Sequence, residues 1–335
     1  MSSRHLPRRL RRLAVPAVLT LLLSAGCASA KETSPAASGD TKITIGFSAW
    51  PGWFPWQVAQ EQGLFKKNGV DVELKYFDSY TDSLNALATG KIDANSQTLN
   101  DTLASVAGGA GQSIVLVNDN STGNDQIIAR PGISSPADLK GKTVAAEQGT
   151  VDHYLLLLAL RKAGLTEADV KFQPLPTDAA AAAFVAGQVD AVGVFAPFTT
   201  TALKLKGSKA IATSADFPGA IPDHLVVTRD LIKDDAKGVQ ALVNTWFDTL
   251  AWMEGHREDA MKIMAAKGGV SVPDYESYDK GTTIFTLDQN RAAFSGDLAK
   301  QAKEISDFLV STKLVDSPPP LDGLFAPQFV QAVQP

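Results

Sequence analysis

The stretch Thr89-Gly90-Lys91-Ile92-Asp93-Ala94 is repeated in outline as Ala186-Gly187-Gln188-Val189-Asp190-Ala191, 97 positions later in the chain. In both copies a glycine follows a helical stretch and precedes a short β-type run, which is how a glycine C-cap ends a helix and starts a strand. Strand-like segments at 43–45 and 143–145 open the two sets with nearly the same offset. The repeat therefore predicts two similar α/β lobes.

Short β-type runs alternate with amphipathic helical stretches on both sides of the repeat, as in α/β proteins with mainly parallel sheets. The predicted strands are 42–47, 70–76, 92–95, 113–117, 143–146, 171–175, 189–195 and 223–228. The predicted helices between them are 56–67, 81–89, 151–163 and an alanine-rich segment that ends at Gly187. The predicted fold class is α/β, with two doubly wound lobes joined by a hinge.

The last third of the chain is predicted to be mostly helical, with apolar residues at helical spacing over 242–252, 260–266 and 298–309. We expect these helices to return to the first lobe, which gives lobe 1 as 42–127 and 228–335 and lobe 2 as 128–227. Trp246, Phe247 and Trp252 lie on these helical stripes and are predicted to belong to the core.

The first 26 residues have the order of parts of a secretory signal peptide: five arginines, an apolar run over 13–23, and small residues before Cys27. The apolar run is about half the length of a membrane-spanning helix. Leu23-Ser24-Ala25-Gly26-Cys27 resembles the bacterial lipobox, in which the cysteine is acylated, although the leucine sits one place earlier than usual. We expect Cys27 to carry the lipid anchor at the outer face of a cell membrane.

Residues 28–41 are small and polar without apolar periodicity, and they are predicted to form a flexible tether. Two alternatives for export remain open. Cleavage after Ala28-Ser29-Ala30 would give an ordinary secreted protein with an incidental cysteine, and Arg8-Arg9 would fit twin-arginine export.

Charge and composition exclude several functional classes. Removal of residues 1–26, with their five arginines, takes the formal net charge from −5 to −10, which argues against nucleic acid as a partner. The four histidines are scattered, the single cysteine lies at position 27, and there is no phosphate-binding Gly-Lys-Ser/Thr loop or dinucleotide fingerprint. We therefore predict no cofactor, no metal site and no catalytic residues.

Ligand contacts in a two-lobed α/β protein are expected at the carboxyl ends of the strands, where loops face the crevice. That rule selects 48–54, 96–101, 118–120, 147–150 and 195–197, none of which contains lysine or arginine. The predicted ligand-binding residues are Trp50, Trp53, Gln97, Asn100, Asn120, Glu147, Thr150, Phe195, Asp223 and His224. Structural explanations are also open: Asp119 and Asn120 fit a turn, Asp101 a helix cap, and His224 a buried position.

Several motifs of the chain resemble the solute-binding proteins of ABC importers, in the nitrate, sulfonate and taurine branch that includes thiamine-precursor binders. They are Ile45-Gly46 before the tryptophan-rich loop, the run from Ala59 to Gly69, the run from Ala88 to Ala94, and the run from Ala137 to Ala145. The resemblance implies a type II periplasmic-binding-protein fold that closes on a small solute. It also implies delivery to a membrane permease with its ATPase, by a protein that acts as a monomer.

The resemblance does not fix the solute, because the same fold carries different pockets. Trp50, Trp53 and Phe195, with carboxylates at Asp101, Asp119, Glu147 and Asp223, favour a guanidinium- or amine-type cation. Nitrate, taurine or an alkanesulfonate remains an alternative, since helix starts near Asn100 and Thr150 offer backbone amides. Further alternatives are an enzyme of the thiamine-pyrimidine type on the same fold and a structural or adhesive lipoprotein.

Overall fold

The computed structural model describes residues 42–334, so the predicted signal peptide, Cys27 and the tether lie outside the described residues. The described residues belong to one compact unit built around two β-sheets with helices on their faces. None of the helices within residues 42–334 has the length and apolar character that crossing a membrane requires.

The described residues form eleven strands. They are β1 (Ile43–Phe47), β2 (Val72–Tyr76), β3 (Ala94–Thr98), β4 (Gln112–Ser121), β5 (Asp125–Ala129), β6 (Thr143–Ala146), β7 (Lys171–Pro174), β8 (Ala191–Phe195), β9 (Lys209–Thr213), β10 (Pro222–Thr228) and β11 (Thr282–Ile284). One sheet has the order β11-β4-β10-β3-β1-β2, and the other has the order β7-β6-β8-β5-β9.

Fourteen α-helices connect and cover these strands in the described part of the chain. They are α1 (Pro55–Glu61), α2 (Leu64–Lys67), α3 (Tyr80–Ala88), α4 (Leu99–Ala107), α5 (Val151–Lys162), α6 (Thr177–Val185), α7 (Phe198–Ala202), α8 (Arg229–Asp234), α9 (Ala236–Gly255), α10 (Arg257–Gly268), α11 (Val272–Tyr278), α12 (Leu287–Ala292), α13 (Leu298–Ser311) and α14 (Gln328–Gln331). A π-helical segment, Ala293–Asp297, joins α12 to α13.

The two sheets share one plan. In the six-stranded sheet β1 pairs in parallel with β2 and β3, and in the five-stranded sheet β6 pairs in parallel with β7 and β8. Each sheet then receives an antiparallel strand from the other half of the chain, β10 beside β3 and β5 beside β8. The predicted α/β class with two similar halves is confirmed. We use "lobe 1" for residues 42–121 and 222–334, and "lobe 2" for residues 125–213.

The chain crosses between the sheets twice, at 122–124 and at 214–221. The two crossings are tied together, since Ser214 Oγ accepts the Gly123 N–H at 2.7 Å and lies 2.7 Å from Ser121 Oγ. The predicted boundaries after 127 and 227 need correction, because the first cuts through β5 and the second assigns most of β10 to lobe 2. Hydrophobic pattern locates a strand but does not say which sheet it joins.

Several observed helices and strands differ from the predicted ones. The predicted helix 56–67 is two helices, because Gly63 adopts a left-handed conformation (φ 66°) that ends α1 and starts α2. Strands β5, β9 and β11 were not predicted. The prediction that Trp246 is a core residue is confirmed, since it is fully buried with its ring 4.7 Å from that of Trp56. Phe247 and Trp252 are partly buried against the same core.

Candidate functional site

A small cavity lies between the two sheets, at the carboxyl ends of the strands. We call it the interlobe cavity, and its volume of about 10 Å³ is close to the space of one water molecule. Its lining comes from both lobes and the second crossing: Trp50, Trp53, Thr98, Asp125, Val151, Phe195, Ile221 and Asp223. No lysine or arginine belongs to this lining. A solute must therefore either be very small or enter when the lobes separate.

Trp50 and Trp53 form one wall of the interlobe cavity. Their loop follows β1, and both side chains are buried, with ring centroids 6.4 Å apart. Phe195, at the end of β8 in lobe 2, meets Trp50 edge-on at 6.3 Å. Tyr80 of α3 completes the cluster at 5.5 Å from Trp53 and 6.1 Å from Phe195. The wall therefore presents aromatic surface from both lobes to any enclosed group.

The tryptophan loop also holds a carboxylate. The Trp50 indole N–H donates to Asp119 Oδ1 at 3.0 Å. Gly52 leaves room for the same carboxylate, because a Cβ at that position would lie 2.1 Å from Asp119 Oδ2. The sequence Trp50-Pro51-Gly52 thus serves to place a tryptophan ring and an acid side by side.

Three carboxylates meet at this end of the molecule without a basic partner. Asp119 and Asp223 are opposite each other on β4 and β10, and Asp125 follows on β5. All three are buried, and within residues 42–334 each has one oxygen, Oδ2, that meets no hydrogen-bond donor. Burial raises the pKa of Asp125 to about 7 and, together with the charge of Asp119, raises the pKa of Asp223 well above its ordinary value. Burial therefore favours the protonated form of these acids, and a cation beside them would favour the ionised form.

Asp101 is a fourth buried acid, in the first turn of α4. It accepts hydrogen bonds from Thr98 Oγ1 at 2.7 Å and from Asn100 Nδ2 at 2.8 Å. Burial raises the pKa of Asp101 to about 7, although hydrogen bonds from Thr98, Tyr80 and the Val151 backbone oppose that rise. The interpretation as a helix cap is supported, since Asp101 bonds from the first turn of α4 to the hydroxyl of the N-cap residue Thr98.

Glu147 connects the lobes. Its Oε1 accepts a hydrogen bond from Thr81 of α3 in lobe 1, and its Oε2 accepts one from Thr177 Oγ1 of α6 in lobe 2, at 2.7 Å. Thr177 Oγ1 also lies 2.7 Å from Asp152 Oδ2. Burial raises the pKa of Asp152 well above its ordinary value, and the charge of Glu147 adds to that effect. The loop after β6 is thereby joined to both lobes.

The structure brings seven of the ten predicted residues to this region. Trp50, Trp53, Phe195 and Asp223 line the interlobe cavity. Glu147 bridges the lobes, and Asn100 bonds to Asp101. Thr150 is the N-cap of α5, and its hydroxyl donates to the Glu147 carbonyl at 3.0 Å. Ligand binding by these residues stays a prediction.

Three predicted residues lie elsewhere. Gln97 is buried within lobe 1, where its amide donates to Thr102 Oγ1 at 3.0 Å. Asn120 bonds to the Ser121 carbonyl and borders a separate cavity that Pro222 and Phe285 also line. His224 is fully buried outside the cavity lining, and burial lowers its pKa to about 3. In each case the residue lies near the correct strand end, but its side chain takes another direction.

Sequence reasoning did not identify Asp125, Asp152 or Tyr80 as site residues. Asp125 begins the unpredicted strand β5, and Asp152 resembles an ordinary first-turn acid of a helix. The sequence signal that could have identified Asp125 is an acidic residue at the start of an apolar strand. No three His, Cys, Asp or Glu side chains in residues 42–334 are grouped so that they could hold a metal ion.

Comparison with known proteins identifies the family. Residues 36–267 match the NMT1-like family. The chain belongs to this family. It is 26% identical over 267 residues to the taurine-binding periplasmic protein of Escherichia coli (strain K12), covering 76% of this chain and 82% of that protein. The predicted resemblance to the nitrate, sulfonate and taurine branch is confirmed.

Two solved structures have the same fold. The alkanesulfonate-binding protein SsuA from Xanthomonas axonopodis pv. citri, bound to MOPS, superposes with a TM-score of 0.75 and 23% identity, covering 87% of this chain and 100% of that one. The periplasmic aliphatic sulphonate binding protein SsuA from Escherichia coli gives 0.71 and 25%, covering 84% and 91%. The predicted periplasmic-binding-protein fold is confirmed.

Proposed function

We propose that this NMT1-like protein is the solute-binding component of an ABC importer and that its solute is a small organic cation, such as guanidinium or a protonated amine. The observation that supports a cationic solute is the lining of the interlobe cavity. Aromatic rings and buried carboxylates from both lobes line it, and lysine and arginine are missing from it.

Electrostatics favours a cation over an anion in this cavity. An ionised carboxylate taken out of water costs several kcal/mol, and a nearby cation recovers much of that cost. Asp125 and Asp223 line the cavity and each offers an oxygen without a donor, so a planar cation with several N–H groups would satisfy both of them. An anion in the same place would add to their repulsion.

The aromatic wall supports the same proposal. A cation over the face of a tryptophan or another ring gains roughly 0.5–2 kcal/mol, with the larger values in desolvated sites. Trp50, Trp53, Tyr80 and Phe195 are all buried at this position. The cavity of about 10 Å³ holds about one water molecule, so a solute of several atoms would require the lobes to separate before they close around it.

A sulfonate is the second candidate, and the relatives favour it. The Escherichia coli relative is named as a taurine-binding protein, and both solved structures are of sulfonate-binding proteins. Taurine carries an ammonium group besides its sulfonate, so the acids described above would suit one end of it. The other end would need donors, and the lining offers the Trp53 indole N–H, which has no hydrogen-bond partner within residues 42–334.

The remaining parts of the proposal follow from the family and the N-terminus. We infer that the protein works outside the cytoplasm, anchored through a lipid on Cys27, and passes its solute to a permease and its ATPase without chemistry. Palmitate labelling of cells that express the wild type or Cys27→Ser tests the anchor. Label in the wild type alone supports it, and equal label in both contradicts it.

Calorimetric titration tests the solute. The protein from residue 31 onward, refolded after denaturation to remove bound solute, is titrated with guanidinium and methylammonium at micromolar levels, and with taurine, ethanesulfonate and nitrate. Heat with a cation alone supports the proposal. Saturable heat with ethanesulfonate or nitrate, and none with cations, contradicts it. Heat with both taurine and methylammonium would mean that the acids bind an ammonium group.

A further inference from the structure

One edge of lobe 2 is rich in lysine and lies away from the interlobe cavity. β6, β7, β8 and β9 run in the same direction and β5 runs against them, so the amino ends of those four strands lie together at one edge of the sheet. Phe195, at the carboxyl end of β8, lines the cavity, which places the amino ends on the opposite side. Five exposed lysines stand at or shortly before these amino ends, and we call them the lysine edge: Lys142, Lys171, Lys204, Lys206 and Lys209.

The lysine edge has an excess of positive charge. Within residues 42–334 none of its five lysines forms an ion pair, whereas the neighbouring Lys140 lies 3.5 Å from Asp169 Oδ1. The turns at this edge, 130–142, 163–171, 186–190 and 203–209, contain seven lysines and arginines and four acids. The chain without residues 1–26 has a formal net charge of −10, so this edge has the opposite sign to the protein as a whole.

Two of the acids at this edge are already engaged by backbone N–H groups. Asp138 Oδ2 accepts from the Ser134 and Ser135 N–H groups at 2.9 and 3.0 Å, and Asp190 Oδ2 accepts from the Thr143 N–H at 2.9 Å. The outer strands of this sheet, β7 and β9, are four strand spacings apart, which is about 19 Å. Charges are screened over about 8–10 Å, so lysines spread over this distance suit an extended anionic surface better than a single ion.

Apolar side chains accompany these lysines. Within residues 42–334 the only large apolar side chains that are exposed are Val185, at the end of α6, and Leu203, directly after α7, at 40% and 44%. Both belong to this edge, since Leu203 precedes Lys204 and a Cβ at Gly187 would lie 3.4 Å from the Arg130 guanidinium at the end of β5. One exposed apolar residue is ordinary. Two of them beside unpaired lysines are typical of a surface that lies against a membrane.

We propose that the lysine edge, together with Val185 and Leu203, is a docking surface for a membrane that contains anionic phospholipids. The lysines match the charge of the headgroups, and the two apolar side chains would be buried just below them. An acidic protein would match the lysines alone, so the apolar pair favours the membrane. The inference rests on the proposed function only in that an anchor on Cys27 would hold the protein beside a membrane. Docking by this edge would leave the opposite, solute-binding side of lobe 2 free.

Vesicle co-sedimentation tests the docking surface. The protein from residue 31 onward contains the whole compact unit and lacks Cys27, so its binding reports the folded part alone. Vesicles contain equal amounts of phosphatidylglycerol and phosphatidylcholine, or phosphatidylcholine only. The double variant Lys204→Glu/Lys206→Glu reverses two charges of the lysine edge. Lys233→Glu/Lys237→Glu is the matched control, because it makes the same change of net charge at exposed positions in lobe 1. Circular dichroism establishes that each variant is folded.

We expect the wild type to bind the phosphatidylglycerol vesicles, more weakly as salt is added, and to bind phosphatidylcholine vesicles at least about tenfold more weakly. A lysine near an anionic membrane strengthens binding by about fivefold, so Lys204→Glu/Lys206→Glu should weaken it at least about tenfold, and the control by less than about threefold. Leu203→Ser should weaken it about threefold or more, because less apolar surface is buried.

Three results would overturn the inference: a wild type that does not bind phosphatidylglycerol vesicles, equal losses in the two double variants, and equal binding to both kinds of vesicle. A wild type that binds poly-L-glutamate but no vesicle would also overturn it, in favour of an acidic protein as the partner. Guanidinium titration of the same wild-type protein separates the inference from the proposed function. Binding of guanidinium without binding of vesicles removes the docking surface alone, and the reverse result removes the cation function alone.

Discussion

Asp119 and Asp223 lie directly opposite each other on the antiparallel strands β4 and β10, and both side chains are buried. Like charges in this arrangement destabilise a sheet, and burial raises the cost. Charge repulsion between them contributes to the raised pKa of Asp223. A cation placed between the two carboxylates would relieve the repulsion. The pair therefore destabilises the empty protein and strengthens the binding of a cation.

Asp223→Asn should therefore weaken cation binding and stabilise the empty protein. Loss of one partner of a buried charged pair costs about 2 kcal/mol or more, which corresponds to at least about a thirtyfold weaker affinity for guanidinium. The free energy of unfolding without solute should rise by about 1–3 kcal/mol. Calorimetry and urea unfolding measure the two quantities. Asp288→Asn, with a side chain 96% exposed, is the control and should change neither. A variant with unchanged affinity would place the solute away from Asp223.

Cation affinity should depend on pH. Burial raises the pKa of Asp101 and of Asp125 to about 7, so both are largely protonated in the empty protein at pH 5 and ionised at pH 8. Because a cation favours the ionised forms, guanidinium affinity should fall as pH decreases from 8 to 5. Titration at four pH values measures this, and buffers of different ionisation enthalpy count the protons released. A flat profile would contradict ionisation of these acids on binding.

Stability of the empty protein should show the opposite trend. The unfolded chain has ordinary carboxyl pKa values near 4, whereas the folded values are near 7 for Asp101 and Asp125. The folded state therefore binds more protons between these values, and its stability decreases as pH rises from about 4 to about 7. Urea unfolding at pH 5 and pH 8 measures the loss. Asp125→Asn should reduce the difference, and an equal difference in this variant would argue against a contribution of Asp125.

The sequence pattern predicted the parts of the fold that depend on local signals. Glycine C-caps and apolar periodicity placed β1, β6 and α5 within one or two residues, because these signals are short-range. Sheet membership depends on contacts between distant segments. The assignment of β5 to the second sheet and of β10 to the first follows from strand pairing, which a single sequence does not encode locally.

The same distinction applies to the site. The rule of strand-end loops selected Trp50 and Phe195, and both line the interlobe cavity, because the carboxyl ends of the parallel strands meet at the crevice. Asp223 reaches the same place from the amino end of β10, which runs antiparallel to β3. His224 follows Asp223 directly in β10, so strand alternation sends the two side chains to opposite faces of the sheet, and only one of them can reach the cavity. Pairs such as Thr81 and Glu147 join different lobes and become visible only in three dimensions.

Gly52→Ala should abolish or strongly weaken binding. The added methyl group would lie 2.1 Å from Asp119 Oδ2, so Asp119 or the tryptophan loop has to move. Gly255→Ala is the matched control, since that glycine ends α9 with nothing within 4 Å of its Cβ position. The control should retain affinity and be as stable as the wild type or slightly more so. Guanidinium titration of both variants decides the point, and normal affinity in Gly52→Ala would show that the loop does not need to hold Asp119.

Thr81→Val should weaken closure without touching the solute. The hydroxyl of Thr81 in lobe 1 donates to Glu147 Oε1 in lobe 2, and valine keeps the shape of the side chain while it removes this hydrogen bond. A hydrogen bond to a charged group contributes about 1.5–3 kcal/mol, so affinity should fall roughly tenfold or more, chiefly through faster dissociation. Thr89→Val is the control, because the Thr89 hydroxyl bonds only to carbonyls of its own helix. Stopped-flow dissociation measures the rate, and X-ray scattering with saturating guanidinium measures closure. Equal dissociation rates in the two variants would mean that the Thr81–Glu147 contact does not hold the lobes together.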